Sequence, residues 1–329
     1  MKSVPCFGRS HKPPKAISPY PSDRAIIELL FICFFRVPQV KESKSIQQFL
    51  RWSGSKRKLL PHIRPLMGFD DRGTYYEPFL GSGAVFFALE PSKAVLTDMN
   101  ADLIVGYRAL KDFRDELFGR LLEHQGKHND CFRNGSEDYY YSVREQGNIA
   151  PDLLLTKESL LEKGARFLYL NKAAFNGLWR VNGKSGAMNA PIGSNSLGDQ
   201  TIVFDIENLK LCSKALSVAE IYHAPYDHPM KRVAAGDRVY CDPPYVPIKQ
   251  KTNFNGYCLD AFTAGDQVNL AILCEQASDR GARVILSNAN TDQTIELYKN
   301  QTIDFLQVKR TIAAKAIDRK MAKEILVTF

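Results

Sequence analysis

The chain has 329 residues, 44% of them hydrophobic, enough for one large domain or two modest ones with a real core. Lys and Arg number 44 against 36 Asp and Glu, and this formal charge of +8 favours polyanionic partners, nucleic acid first. The seven cysteines form no Cys-x-x-Cys pair, which argues against a disulfide scaffold and for a reduced, intracellular chain.

The longest apolar run, Ala25 to Phe35, is too short to span a bilayer, and no small-residue cleavage site follows it. Residues 1–46 are otherwise rich in Pro, Ser and Lys, and they read as an N-terminal extension with little tertiary order. From residue 47 onward, strand-like and helix-like runs alternate. "TYYEPF" reads as a strand, "LGSG" as a turn and "AVFFALE" as an apolar helix. "AVLTDMN" is a second strand, and "ADLIVGYRALKDF" has helical spacing.

Residues 113–215 break this rhythm. They are rich in Tyr, Asn, Gly, Arg and Lys, with helical stretches such as "LEKGARFLYLN". A polar insertion of this length reads as a separate, mainly helical lobe that handles a substrate. His124, His128 and Cys131 lie close together within it. No second cluster completes a tetrahedral site, so no metal is expected. Beyond the insertion, "VAEIYHA", "RVYCD", "ARVILSN", "DFLQVKR" and "EILVTF" read as strands. "GDQVNLAILCEQASDRG" and "TDQTIELYKN" read as helices between them. The alternation predicts an α/β fold, a parallel sheet with helices on both faces. Residues 47–112 and 216–329 would form the sheet domain around the insertion.

Gly81 and Gly83 stand between the first strand and its helix, where glycine permits a tight turn and close approach of a ligand to the backbone. A dinucleotide fingerprint would place a third glycine where Phe86 stands, and no Lys-Ser/Thr follows for a P-loop. A purely structural turn is the competing reading. Glu77 ends the first strand and Asp98 the second. An acid at the second position can accept hydrogen bonds from ribose hydroxyls. The alternative for Asp98 is the N-cap of the helix that begins "ADLI". A nucleoside without a pyrophosphate suits this pattern. S-adenosylmethionine is such a ligand, and its sulfonium cation favours nearby carboxylates.

"RVYCDPPY" carries the second constellation. Two prolines end the strand because neither donates a ladder hydrogen bond. An exocyclic aromatic amine is a poor nucleophile, since its lone pair is delocalised into the ring. A carboxylate and a carbonyl that each accept one N–H favour a tetrahedral nitrogen. Asp242 can supply the carboxylate and Pro243 the carbonyl, with Pro244 helping to fix its direction. Tyr245 can stack on a base, worth roughly 1–3 kcal/mol, once that base has left the duplex. The bland alternative is a strand end with a capping Asp and a core Tyr. Ligands bind at the carboxyl ends of strands in such sheets, which favours the catalytic reading.

These residues resemble the Dam-type DNA adenine-N6 methyltransferases, from about Phe49 to Leu326. "FLRWSGSKRKLLPHI", "EPFLGSGAVF", "LTDMNADLI", "LYLNKAAFNGLWRVNGKSGAMNAPIG", "VYCDPPY" and "RTIAAKAIDRKMAKEILV" are similar to that family's motifs, in its order. The resemblance implies a Rossmann-like methyltransferase sheet and an inserted target-recognition lobe. It implies S-adenosylmethionine contacts at Trp52, Lys56, Glu77, Phe79, Gly81, Gly83, Asp98, Tyr226 and Asp242. Without the family, core packing would be the reading of Trp52. It implies DNA contacts at Arg51, Asn176, Leu178, Arg180, Asn182, Asn189 and Pro191. Arg can pair with guanine, and Asn with adenine or phosphate. Arg166, Lys172 and Lys184 would add charge toward the phosphate backbone.

Arg51, Ser53 and Ser55 depart from the family's usual Lys, Ala and Gly. The segment "VNGKSGAMN" has about one extra residue, and Ser194 stands where GATC enzymes have a basic residue. These changes bear on the recognised sequence, GATC or a related site, more than on catalysis. The expected protein is a cytoplasmic monomer, bacterial or phage-encoded, that modifies double-stranded DNA without a metal or a membrane, as in restriction-modification. Methylation of cytosine N4 or RNA adenine, and an inactive DNA-binding relative, are the competing readings.

Overall fold

The computed structural model describes residues 45–68, 72–147, 156–182, 186–194, 198–245, 262–309 and 321–329. Residues 1–44, Lys184, the "VPIKQ" segment after Tyr245 and all of "RTIAAKAIDRK" lie outside them. Residues 46–329 cluster as one unit.

Seven strands form one sheet. They are β1 (Tyr75–Glu77), β2 (Ala94–Asp98), β3 (Ala219–His223), β4 (Arg238–Cys241), β5 (Arg283–Ala289), β6 (Thr302–Lys309) and β7 (Met321–Thr328). Their order is β3-β2-β1-β4-β5-β7-β6. The first five are parallel. The expectation of a parallel sheet is corrected at its far edge, where β7 runs antiparallel to both β5 and β6. β6 and β7 follow each other in the chain and pair directly, and antiparallel neighbours need no helical crossover.

Successive strand residues face opposite sides, and the buried residues separate accordingly. Tyr75, Leu96, Tyr240, Ile285 and Leu326 join one apolar cluster. Tyr76, Val95, Val239, Cys241, Val284, Leu286, Ile325 and Val327 join another. Both faces are therefore covered, which is why these strands read as continuous apolar runs rather than alternating ones.

The first face carries α1 (Leu60–Met67), α2 (Ala84–Leu89), α3 (Ala101–Asp112) and α7 (Ile206–Leu216). The other carries α8 (Asp227–Met230) and α9 (Ala264–Asp279), with Leu270 and Cys274 of α9 in its core. The short α10 (Asp292–Leu297) leads into β6.

Between α3 and α7 lie α4 (Arg114–Arg133), α5 (Asp138–Glu145) and α6 (Lys157–Ala173). Phe167, Tyr169 and Trp179 from this stretch belong to the same buried cluster as Phe86 and Leu96. α6 crosses α3 at close range. A Cβ on Gly164 would lie 2.5 Å from that of Ala109, and one on Gly106 would lie 2.6 Å from the Phe167 ring.

His124 and His128 on α4 are tied into an aromatic group. His128 meets the Tyr169 hydroxyl through Nδ1 and the Gln200 carbonyl through Nε2, each at 2.8 Å. His124 stacks on Tyr169 and pairs with the Tyr139 hydroxyl at 2.8 Å. Among the described residues no group of three or more His, Cys, Asp or Glu is placed to hold a metal, and no helix is long and apolar enough to cross a membrane.

Candidate active site

The chain order reverses between β1 and β4, since β2 and β3 extend the sheet one way and β5 the other. Such a switch point opens a crevice at the carboxyl ends of the strands, where α/β sheets bind ligands. Glu77 closes β1 there, Asp98 closes β2, and Asp242 follows β4.

The turn out of β1 is left-handed at Gly81 (φ 47°) and Gly83 (φ 63°), a conformation that disfavours a side chain. A Cβ on Gly81 would lie 2.9 Å from the Trp52 ring, and one on Gly83 would lie 2.9 Å from the Tyr107 hydroxyl. Side chains there would collide with Trp52 and Tyr107, so the two glycines form a tight cradle packed against both. Its backbone is pinned from two sides. The Gly81 N–H donates to Asp98 Oδ2 at 2.9 Å, and the Tyr107 hydroxyl donates to the Gly81 carbonyl at 3.1 Å.

Asp98 Oδ1 accepts the Asn100 N–H at 2.9 Å. Asn100, not Asp98, caps α3, accepting from the Leu103 N–H at 2.9 Å, so the capping alternative for Asp98 is set aside. Burial pushes the Asp98 carboxyl above its ordinary range, against the lowering effect of the Gly81 and Asn100 N–H groups.

Glu77 is 3% exposed, and its Oε2 accepts the Tyr75 hydroxyl at 2.8 Å and the Phe86 N–H at 3.1 Å. This carboxyl thus satisfies the first turn of α2 from inside. Desolvation pushes its pKa up to about 8, helped by the nearby Asp242 and Asp98. The folded chain therefore holds this proton more tightly than the unfolded chain does. The associated stability is fully present below the ordinary value of 4.5 and is lost as pH rises through about 8. Glu77→Gln keeps an acceptor and carries no charge. It should flatten the loss of melting temperature between pH 5 and 8 by about one proton, or about 1.4 kcal/mol per pH unit. An unchanged pH–melting curve would contradict a protonated Glu77.

Asp242 is reached from two other elements. Lys56, in the one-turn helix Lys56–Leu59, places Nζ 2.8 Å from Oδ1. Ser287 of β5 donates to the same oxygen at 2.9 Å. Lys56 is 7% exposed and Asp242 21%, so the pair is largely shielded while the carboxylate still reaches solvent. Lys56 also donates to the Gly54 carbonyl at 3.0 Å and sits 5.0 Å from the centre of the Tyr245 ring. Tyr245 in turn donates to Glu324 of β7 at 3.1 Å. Pro243 is buried and Pro244 exposed.

Trp52 is half-buried against Gly81 and Phe167, and it packs beside the cradle as well as on the core. Phe79 and Tyr226 stack with ring centres 5.5 Å apart, and Phe262 meets both edge-on. The Tyr226 hydroxyl is held by Asp266 and Asn269 on α9.

A second group gathers beyond the end of α6. Asn171 is buried. It accepts the Arg51 N–H at 3.1 Å and donates to the carbonyls of Arg51 (2.8 Å) and Gly177 (3.0 Å). That knot holds Arg51 beside the turn Phe175–Gly177, in which Asn176 is left-handed (φ 53°). The segment then folds back on itself. The Phe175 N–H donates to the Pro191 carbonyl, the Asn189 N–H to the Arg180 carbonyl, and the Asn182 N–H to the Ala187 carbonyl. Arg180 Nε donates to Asn189 Oδ1 at 2.9 Å. Trp179 points into the core while its neighbours Leu178 and Arg180 are half-buried and exposed.

Arg166 is a correction. It is buried, and it donates to the carbonyls of Val143 and Arg144 at 2.9 Å each, so its charge ties α6 to α5 rather than facing a phosphate. It shares the inward face of α6 with the core. Lys172 is half-buried, and burial lowers its pKa.

Three contributors are not singled out by the sequence: Asn171 and Glu324, which stand inside quoted motifs without a role, and Ser287, which lies outside all of them. Ser287 had a usable signal, a hydroxyl near the carboxyl end of the strand beside β4.

A glycine cradle and carboxylates at the switch point of a two-face-covered α/β sheet fit a Rossmann-like methyltransferase fold. A family model described as D12 class N6 adenine-specific DNA methyltransferase matches residues 52–312, and the chain belongs to that family. It is 36% identical to the type II methyltransferase M1.LlaDCHI of Lactococcus lactis subsp. cremoris, over 88% of this chain and 97% of the relative. It is 31% identical to the DNA adenine methylase of Escherichia coli K12, over 87% and 96%. It is 32% identical to the type II methyltransferase M.MjaIII of Methanocaldococcus jannaschii, over 84% and 96%. The chain is thus an adenine-specific DNA methyltransferase by family, an enzyme whose substrate is DNA.

Proposed function

We propose that this enzyme transfers a methyl group from S-adenosylmethionine to the N6 amine of an adenine flipped out of duplex DNA, within GATC or a related short site. The observation that carries this reading is the Asp242 cluster, a carboxylate held at the switch point next to the glycine cradle.

The residues fit S-adenosylmethionine on two counts. The turn at Gly81 and Gly83 carries no side chain, so a ligand could approach its backbone closely. Asp98 and Asp242 lie near enough to Glu77 to raise its pKa, and their carboxylates suit a cation, while Glu77 itself stands by as a neutral acid. Asp98 and the cradle would hold the nucleoside, with Trp52, Phe79 and Tyr226 as apolar walls and Lys56 and Glu77 at the polar end. When bound, that cofactor supplies an electrophilic sulfonium methyl.

Asp242 accepts one N–H of the target amine and the Pro243 carbonyl accepts the other. The nitrogen lone pair then leaves conjugation and points away from the ring plane. Tyr245 stacks on the base, and Pro244 limits how far the carbonyl can turn. The chain contributes position and charge, and positioning supplies much of the rate.

Residues 113–215 serve as the target-recognition region, with 47–112 and 216–329 as the catalytic domain. Arg180, braced on Asn189, is suited to a guanine edge. Arg51, Asn176, Leu178, Asn182 and Pro191 would complete the DNA-facing surface. We read the enzyme as acting as a monomer.

Expression in a host free of DNA methylation, followed by modification-aware sequencing, tests the reading. N6-methyladenine at one short motif is expected. N4-methylcytosine in its place, or no methylated adenine, would overturn it.

A further inference from the structure

Among the described residues, the Asp242 carboxylate receives Lys56 and Ser287 on one oxygen. Lys56 Nζ and the Ser287 hydroxyl reach Oδ1 at 2.8 and 2.9 Å. Ser287 lies on β5, is 0% exposed, and belongs to none of the motifs that define the site. Its hydroxyl has a single hydrogen to give and two acceptors within reach. Asp242 Oδ1 lies at 2.9 Å and the Cys241 carbonyl at 3.5 Å, so the shorter, charged contact takes it.

The other side of Ser287 fixes this direction. The Tyr240 hydroxyl of β4 donates to Ser287 Oγ at 2.9 Å. Tyr240 is fully buried, and desolvation pushes its pKa well above the ordinary range, so it keeps its proton and stays a donor. A directed relay results: Tyr240 to Ser287, Ser287 to Asp242. Chains of this kind strengthen each member.

We propose that Ser287 is a positioning residue for catalysis. With Lys56 it holds Oδ1, which fixes the plane of the carboxylate and turns Oδ2 to the target amine. A carboxylate with one oxygen clamped by two donors cannot swing to present either oxygen at random. The acceptor is then in place before the base arrives, which is what preorganisation requires. Ser287 acts through Asp242 and touches neither substrate nor cofactor. Tyr240 sets the direction of the Ser287 proton from one residue further back. The inference rests on Asp242 being the carboxylate that accepts the amine.

The test compares Ser287→Ala, Ser287→Thr, Tyr240→Phe and Asp242→Ala in the full chain. It uses S-adenosylmethionine and a duplex carrying the site found by sequencing. Ser287→Ala should slow single-turnover methyl transfer about 10–100-fold, the loss expected for one hydrogen bond to a charged group. The KM values for cofactor and DNA should stay within about twofold, since ground-state binding is not touched. Ser287→Thr keeps the hydroxyl and should recover most of the rate. Tyr240→Phe should lose less than Ser287→Ala, about 3–10-fold. Thermal melting of each variant reports folding.

Wild-type rates in Ser287→Ala beside an inert Asp242→Ala would overturn the inference and leave the proposed function standing. Equal losses in Ser287→Ala and Ser287→Thr at wild-type melting temperature would also overturn it, because the hydroxyl would then not be the operative group. An active Asp242→Ala would instead remove the reading on which the inference rests.

Discussion

Asp242→Ala is expected to abolish methyl transfer, a loss of about 10³-fold or more, while DNA binding is largely retained. The carboxylate is held and still solvent-accessible: Lys56 and Ser287 fix Oδ1, and the residue is 21% exposed. Loss of the carboxylate removes the acceptor for the amine N–H, and the lone pair stays in the ring. On the proposed reading DNA affinity depends on the surface beyond α6, where Arg51 and Arg180 lie, and the substitution leaves that surface untouched. The variant also leaves the Lys56 ammonium, 7% exposed, without its ion-pair partner, at a cost of about 3–5 kcal/mol if the site does not relax. Asp242→Asn therefore serves as the folding control. It keeps the shape and one acceptor oxygen, and it should remain folded and slow. Single-turnover transfer and oligonucleotide binding, measured side by side, decide the matter. Parallel losses of both would mean that Asp242 is structural.

Asp98→Ala has the second largest expected effect, and it falls on a different quantity. The Asp98 carboxylate accepts the N–H groups of Gly81 and Asn100, each at 2.9 Å. On the proposed reading it also accepts from ribose hydroxyls at the end of β2. Its loss strands the Gly81 N–H and loosens the turn that forms the cradle. The affinity for S-adenosylmethionine should fall about 100-fold, the sum of one or two charge-assisted hydrogen bonds. The rate at saturating cofactor should change by less than about tenfold, because Asp242, Lys56 and Ser287 are untouched. Asp98→Asn should lie between. A fall in the saturated rate with unchanged cofactor affinity would contradict this assignment. The pairing of Asp242 with rate and Asp98 with affinity separates the two halves of the site.

Most of the sheet was legible because buried strands announce themselves. "RVYCD" and "ARVILSN" are short apolar runs with polar ends, and they became β4 and β5. The direction of β7 was not legible. "EILVTF" has the same apolar character as a parallel strand, and its antiparallel course is set by pairing with β6. Local sequence carries no signal for that choice.

Within the site, the acids and glycines were legible by type and position, while their internal partners were not. Asp98 was read as a ligand acid with capping as the alternative. That alternative passed to Asn100 two residues later. Glu77 was read as a cofactor contact, yet its Oε2 is engaged with Tyr75 and Phe86, contacts that exist only once α2 docks on β1. The charge of Arg166 alone points to a phosphate, but helical phase turns it inward. It lies on the face of α6 that Phe167 and Leu170 also bury, and its guanidinium is satisfied by carbonyls of α5. Ser287, Glu324 and Asn171 were missed because each acts through another residue, and a single hydroxyl or amide in an apolar run looks like noise until its neighbours in space are known.

The central claim is direct transfer to the N6 amine of adenine in duplex DNA. The most direct measurement incubates the purified full chain with isotopically labelled S-adenosylmethionine and duplex DNA carrying the motif found by sequencing. The product is then hydrolysed to nucleosides and identified by mass. The account predicts label in N6-methyldeoxyadenosine alone, with none formed by Asp242→Ala. Label in N4-methyldeoxycytidine, or equal label from Asp242→Ala, would contradict it.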